Sequence, residues 1–148
     1  MPTSDCIFCD LVAGRGAVST VYEDDRVMAF LDIAPVNPGH TLVIPKQHYR
    51  SLADLDEEVG MHLFRVAQQV AQAIRRSGVR CEGINLFLAD GEAAFQEVFH
   101  AHLHVVPRFR GDSFKIDADW SIQPCRTELD ELAAQISRAH LRSWFPPE

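Results

Sequence analysis

An α+β fold, in which an antiparallel sheet carries one long central helix and a C-terminal helix, is predicted by three observations. Short runs of apolar and β-branched residues recur between turn-forming residues, at Thr20–Glu23, Val27–Asp32 and His40–Ile44. One long segment from Asp56 has apolar residues at helical spacing, with strand-like runs on both sides and no regular β-α-β alternation. The run His100-Ala101-His102-Leu103-His104 alternates with the two-residue period of a strand.

The elements follow in order. Asp24-Asp25-Arg26 joins the first two strands as a hairpin turn, and Pro35, Asn37, Pro38 and Gly39 mark a loop before the third, which Pro45 stops. Leu52–Leu55 forms a short turn. The helix from Asp56 opens with acidic residues, carries Met61, Phe64, Val66, Val70 and Ile74 at roughly helical spacing, and ends at Gly78. Gly83–Leu88 returns to strand, Asp90-Gly91 turns, and the histidine strand closes the sheet. Thr127–Ser143 reads as the last helix, with Thr127 as its N-cap and Asp130 three residues on. Gly111–Pro124 carries no pattern that assigns it an element.

Composition narrows the function. The 148 residues are enough for one domain with a real core, and 47% are hydrophobic, as in an ordinary globular enzyme. A net charge of -7 argues against general nucleic-acid binding, although Arg108 and Arg110 leave room for a local basic spot. No apolar run reaches the length of a membrane span, and Met1-Pro2-Thr3-Ser4-Asp5 lacks the pattern of a signal peptide, so a cytoplasmic location is expected. Of the four cysteines, Cys6 and Cys9 form a pair while Cys81 and Cys125 stand alone. In a reducing compartment such a pair suggests a metal or redox role rather than a disulfide framework.

The histidines are the main chemical signal. Imidazole is both nucleophile and acid or base near neutral pH, and alternation puts all three rings on one strand face, with Ala101, Leu103 and Val105 facing the core. With Val105-Val106 after it, the triad resembles the signature of the histidine triad superfamily of nucleotide hydrolases and transferases. Cys6-Ile7-Phe8-Cys9, Phe30-Leu31-Asp32-Ile33-Ala34-Pro35 and Pro38-Gly39-His40-Thr41-Leu42-Val43-Ile44-Pro45-Lys46 resemble further segments of that family, in the same order. The likeness is to bacterial-type members with an N-terminal Cys-x-x-Cys. It covers Cys6 to about Gly111, which makes residues 1–148 a single domain with its core at 6–111 and a C-terminal extension at 112–148.

This resemblance implies roles. His102 would be the nucleophile, its other ring nitrogen held by a backbone carbonyl, and a nucleotidyl-histidine would form and be hydrolysed. His104 would donate to the phosphate or the leaving group, and Gln96 would sit near the phosphate. Asp32 would accept hydrogen bonds from the ribose hydroxyls, with Phe8, Phe30 and Ile33 walling a purine. The same residues admit blander roles: Phe8, Phe30 and Ile33 as core, Asp32 as a turn residue. His40 would support the triad, while His62 and His140 fall on solvated helix faces. The sequence departs from the family at Ala89, where Asn or Gln is common, at Phe95, where Gly is common, and at Glu97, where Ser or Thr is usual.

Cys6 and Cys9 need two more ligands to hold zinc, and His48 with His100 supplies a candidate set of the kind used by zinc-bearing members of the superfamily. A free or redox-active dithiol is the competing reading. The resemblance as a whole implies a homodimer that hydrolyses a purine nucleotide at its α-phosphate and releases a nucleoside monophosphate. Pro107-Arg108 and Gln96 look closer to dinucleoside polyphosphate hydrolases than to phosphoramidases. A nucleotide-binding regulatory protein with negligible turnover and a purely zinc-structural interaction module are the rival readings.

Overall fold

A computed structural model describes the backbone of residues 5–144 and side chains through 139, so the expected solvation of His140 lies outside the described residues. The chain divides into two compact units, Met1–Phe114 and Lys115–Glu148. The first holds a short helix α1 (Ile7–Val12), strands β1 (Thr20–Glu23), β2 (Val27–Leu31) and β3 (Thr41–Pro45), the long helix α2 (Glu57–Arg76), and strands β4 (Gly83–Phe87) and β5 (Leu103–Arg108). The sheet is antiparallel between all neighbours, in the order β1-β2-β3-β5-β4.

Helix α2 is an amphipathic helix with well-satisfied ends. The Asp56 carboxylate accepts the Val59 N–H, Glu57 and Glu58 lie at the positive end, and Arg75 and Arg76 lie at the negative end. Its buried face is Leu63, Val66, Ala67, Val70, Ala71 and Ile74, packed on Val27, Ala29, Val43, Leu103 and Val105 of the sheet. Each fully buried Val or Leu there contributes roughly 1.5–3 kcal/mol of transfer free energy. The sequence places Met61 and Phe64 on this stripe, but the structure leaves both more than half exposed. At about 100° per residue both fall beyond the same edge of the buried stripe, roughly 100° and 160° round from Leu63, so the apolar arc is narrower than the spacing suggests.

His62 is also not solvated. Its Nε2 lies 2.6 Å from Asp24 Oδ2, tying α2 to the β1–β2 turn, whose Arg26 and Val27 N–H groups donate to Asp24 Oδ1. Residues of opposite parity build a second core layer on the other sheet face, where Met28, Phe30, Leu42 and Ile44 meet Cys6, Phe8 and Cys9 of the N-terminal segment. Helix α1 thus covers the face that α2 leaves open.

The histidine run is only partly a strand. Ladder pairing begins at Leu103, opposite Val43, and His100 and His102 precede it. Pro45 has no N–H to continue the β3 ladder, its carbonyl accepts from His100 Nε2, and the Ala101 N–H turns to the Tyr49 carbonyl. In the second unit, helix α3 (Arg126–Trp144) starts one residue before the expected cap, Thr127. The side chain that reaches back is Glu128, which accepts the Cys125 N–H at 2.8 Å.

Candidate active site

A pocket of about 410 Å³ opens on the α1 side of the sheet, lined among others by Phe8, Phe30, Asp32, Ile33, His102 and His104. The volume is that of a small-molecule site. Phe8 and Phe30 pack edge to face at 5.6 Å, and Phe8 also meets the His102 ring at 5.2 Å and the His100 ring at 5.8 Å. Phe8 and Phe30 are buried and so serve core and pocket wall at once, while Ile33 is 94% exposed and stands at the mouth.

The hydrogen bonds assign the protons. His102 Nδ1 is 2.7 Å from the His100 carbonyl, which can only accept, so Nδ1 carries the hydrogen and Nε2 presents a lone pair. Burial lowers the basicity of His102 and keeps that lone pair free. His40 Nδ1 accepts the Val36 N–H at 3.1 Å, so neutral His40 carries its proton on Nε2. That Nε2–H donates to His104 Nδ1 at 2.9 Å, which leaves the His104 proton on Nε2. Burial, with His102 and His40 nearby, pushes His104 down to about 4. The pocket therefore shows one unprotonated nitrogen, on His102, and one N–H donor, on His104, with the rings 4.9 Å apart.

Asp32 Oδ1 accepts the Ala34 N–H, and Oδ2 lies 3.7 Å from His40 Nε2. Asp32, His40 and His104 are close enough to share a metal ion. Metal at His40 Nε2 would require its proton on Nδ1, against the Val36 N–H, so the hydrogen-bond chain is the better description. Phe87 stacks on His104 at 4.1 Å with the planes 12° apart, one register pair across the β4–β5 ladder. Nothing in the sequence marks Phe87, because cross-strand register is invisible there.

The sequence places Gln96 at the phosphate, but the structure turns its amide inward. Oε1 accepts the Gly91 N–H at 2.8 Å, and Nε2 donates to the Arg50 carbonyl at 2.8 Å and the Val98 carbonyl at 3.1 Å. The side chain is buried and braces the loop, whereas its neighbours Phe95 and Glu97 line the pocket. Ala89 is buried away from that lining. Arg108 is no free basic spot: Asp112 takes its Nε and one terminal nitrogen at 2.7 and 2.8 Å.

Behind the pocket, Cys6, Cys9, His48 and His100 come together with all ligand atoms within 4.8 Å of one another. Cys9 Sγ is 3.3 Å from His48 Nδ1 and 3.6 Å from His100 Nδ1, and Cys6 Sγ is 3.5 Å from His100 Nδ1. A tetrahedral zinc with ordinary bond lengths puts sulfur and nitrogen ligands about 3.5 Å apart. The His100 proton sits on Nε2, 2.7 Å from the Pro45 carbonyl, so Nδ1 offers its lone pair to the cluster. Burial and the adjoining Cys6 push the Cys9 thiol up to about 11, so a bound cation would favour its thiolate. The donor set fits zinc.

Similarities to known proteins bear on this arrangement. The HIT domain family model matches residues 17–111. An uncharacterized HIT-like protein of Borreliella burgdorferi is 42% identical over 134 residues, 90% of this chain and 96% of its own. The crystal structure of a zinc-bound histidine triad family protein from Mycobacterium smegmatis superposes with a TM-score of 0.72 at 42% identity, covering 91% of this chain and 97% of that one. The adenylylsulfatase HINT3 of Arabidopsis thaliana is 33% identical over 143 residues, 95% of this chain and 71% of its own.

Proposed function

This chain belongs to the HIT domain family, and on that premise we propose that it hydrolyses a nucleotide at the α-phosphate through a covalent nucleotidyl-histidine. The observation that carries the reading is the pair of fixed tautomers, a His102 Nε2 lone pair beside a His104 Nε2–H in one pocket. His102 Nε2 attacks the α-phosphorus and the bond to the leaving group breaks. His104 Nε2–H holds a phosphate oxygen or the departing atom. The His100 carbonyl keeps the Nδ1 proton of the imidazolium that forms. Water then attacks phosphorus, the bond to Nε2 breaks, and a nucleoside monophosphate leaves as His102 returns to neutral imidazole. The relative named adenylylsulfatase supports hydrolysis of an adenylylated substrate.

Asp32 would take the ribose hydroxyls with Oδ2, and the purine would lie against Phe8, Phe30 and Ile33. Gln96 acts by bracing the loop that carries Phe95 and Glu97. Cys6, Cys9, His48 and His100 would hold zinc, which when bound cross-links α1 to the segment leading into β5. His100 is then held from its ring while its carbonyl orients His102. The reaction belongs to the unit ending at Phe114, within one HIT domain that keeps residues 112–148 as its extension. A second copy completes a homodimer in the cytoplasm. Among the described residues no helix is long and apolar enough to cross a membrane.

Incubating the pure protein with a panel of adenylated and guanylated conjugates, with products identified by mass, tests the reading. Nucleoside monophosphate should accumulate, and His102→Asn should lower kcat by several orders of magnitude while keeping nucleotide affinity. Tight binding without any product would favour the regulatory reading.

A further inference from the structure

His104 can aim its Nε2–H only if its ring is fixed in both place and plane. The bond from His40 Nε2 to its Nδ1, at 2.9 Å, pins one edge of the ring and leaves it free to swing about that contact. The Phe87 ring supplies the plane, with its centroid 4.1 Å from that of His104 and the two rings 12° from parallel. The stack follows from register: Phe87 and His104 stand opposite one another on the β4–β5 ladder, so both side chains leave the same face of the sheet. Phe87 does not line the pocket and is 38% exposed, so its ring reaches the chemistry only through His104.

Further along the same sheet face, Asn85 accepts a hydrogen bond from Arg108. Arg108 also donates to both oxygens of Asp112, at 2.7 and 2.8 Å, and to the Phe114 carbonyl at 2.7 Å. Its guanidinium lies 4.8 Å from the centre of the Phe114 ring, and that ring lies 6.5 Å from Phe87 with the planes 14° apart. A row of flat groups thus runs from Arg108 through Phe114 and Phe87 to His104. Asp112 holds the other support of His104 as well. Its carboxylate, 3% exposed, accepts from Asn37 Nδ2 at 2.9 Å. The same nitrogen donates to the Pro107 carbonyl, and the Asn37 carbonyl accepts the His40 N–H at 3.0 Å. Both contacts that fix His104 therefore lead back, by separate routes, to one ion pair.

We propose that Phe87 and the Arg108–Asp112 pair are positioning residues for His104, aiming its Nε2–H into the pocket before substrate arrives. What His104 does there rests on the hydrolase reading; how it is held rests on these contacts alone. No charge on His104 is needed, because the neutral ring accepts from His40 at Nδ1 and donates from Nε2. A donor already fixed needs no reorganisation when the phosphate binds, and a small misplacement of such a group costs a large factor in rate.

Nitrogen NMR of the full-length protein, labelled at histidine, reads His104 directly, its signals identified by their loss in His104→Asn. Its two ring nitrogens should resonate far apart, as in a single neutral tautomer with the proton on Nε2. Phe87→Leu keeps an apolar side chain at a part-exposed position but removes the flat face. Its His104 nitrogens should draw together as the ring leaves its plane and the tautomers mix, a change too large for a lost ring current. With an adenylated substrate, kcat should fall about tenfold or more while adenosine monophosphate binds nearly as tightly. Phe87→Tyr restores the flat face and should recover both readouts. Asp112→Asn keeps the shape of the anchor without its charge and should shift the His104 nitrogens in the same direction as Phe87→Leu. Wild-type nitrogen signals in Phe87→Leu, or a Phe87→Tyr no better than Phe87→Leu, would overturn the proposal and leave hydrolysis standing. Unmoved signals in Asp112→Asn would overturn the anchoring by the ion pair. Shifted signals in a protein that turns over no substrate would support the positioning and overturn the hydrolase reading.

Discussion

Replacing Gln96 with alanine separates a brace from a phosphate ligand. The amide makes three hydrogen bonds, to the Gly91 N–H and to the Arg50 and Val98 carbonyls, and the side chain is 4% exposed. Truncation would leave one donor and two acceptors of the backbone short of a partner in a part-buried turn. At about 1 kcal/mol for each net bond the loss comes to about 3 kcal/mol. For a cooperative unit of this size that lowers Tm by roughly 10 °C. Scanning calorimetry of wild type and Gln96→Ala without nucleotide measures it directly. The Phe95–Glu97 turn should loosen as well, so nucleotide affinity should fall with stability. A variant with wild-type Tm but much weaker nucleotide binding would refute the argument and return Gln96 to the phosphate.

Three other outcomes are expected. Protein purified without added metal should carry close to one zinc per chain by elemental analysis, and Cys9→Ser should lose it with a fall in Tm; metal-free protein of unchanged stability would leave a simple dithiol. Asp32→Asn should weaken binding of ribonucleotides by about tenfold while affecting deoxyribonucleotides less, read by calorimetric titration, since an amide accepts hydroxyl hydrogen bonds less strongly than a carboxylate. Burial, with His102 and His40 nearby, holds His104 near about 4 against an ordinary value of 6.5, and burial lowers His40 in the same sense. The unfolded chain then binds more protons across that interval, so stability is complete above about pH 6.5 and declines as pH falls towards about 4. Thermal melts should show a lower Tm at about pH 5 than at about pH 7.5, and a flat profile would mean these rings are protonated in the folded protein.

The sequence was most legible where turn residues bracket an apolar run or a helical spacing. Apolar and β-branched runs between turn residues located β1, β2, β3 and β4, and Asp56 with Gly78 bracketed α2. Helix α1 escaped because its six residues are too few to show a period, and its buried residues, Phe8 and Cys9, are adjacent rather than spaced. Within the site, the chemistry-bearing residue types stood out, and the structure brings Cys6, Cys9, His48 and His100 together as one cluster. Direction did not stand out. Whether Gln96 points in or out depends on the left-handed turn at Phe95, and nothing local announces a left-handed phenylalanine. The Asp24–His62 and Phe87–His104 contacts depend on how elements distant in sequence are placed, which periodicity does not encode.

The central claim is that the His102 Nε2 becomes bonded to phosphorus. Mixing the protein with an adenylated substrate, quenching within one turnover and mapping peptides by mass spectrometry tests it most directly. The account predicts a transient adenylyl adduct on the peptide containing His102, at the ring nitrogen not held by the His100 carbonyl, and absent from His102→Asn. Adenosine monophosphate formed at the full rate with no adduct at any time, or an adduct carried by His104 instead, would contradict it.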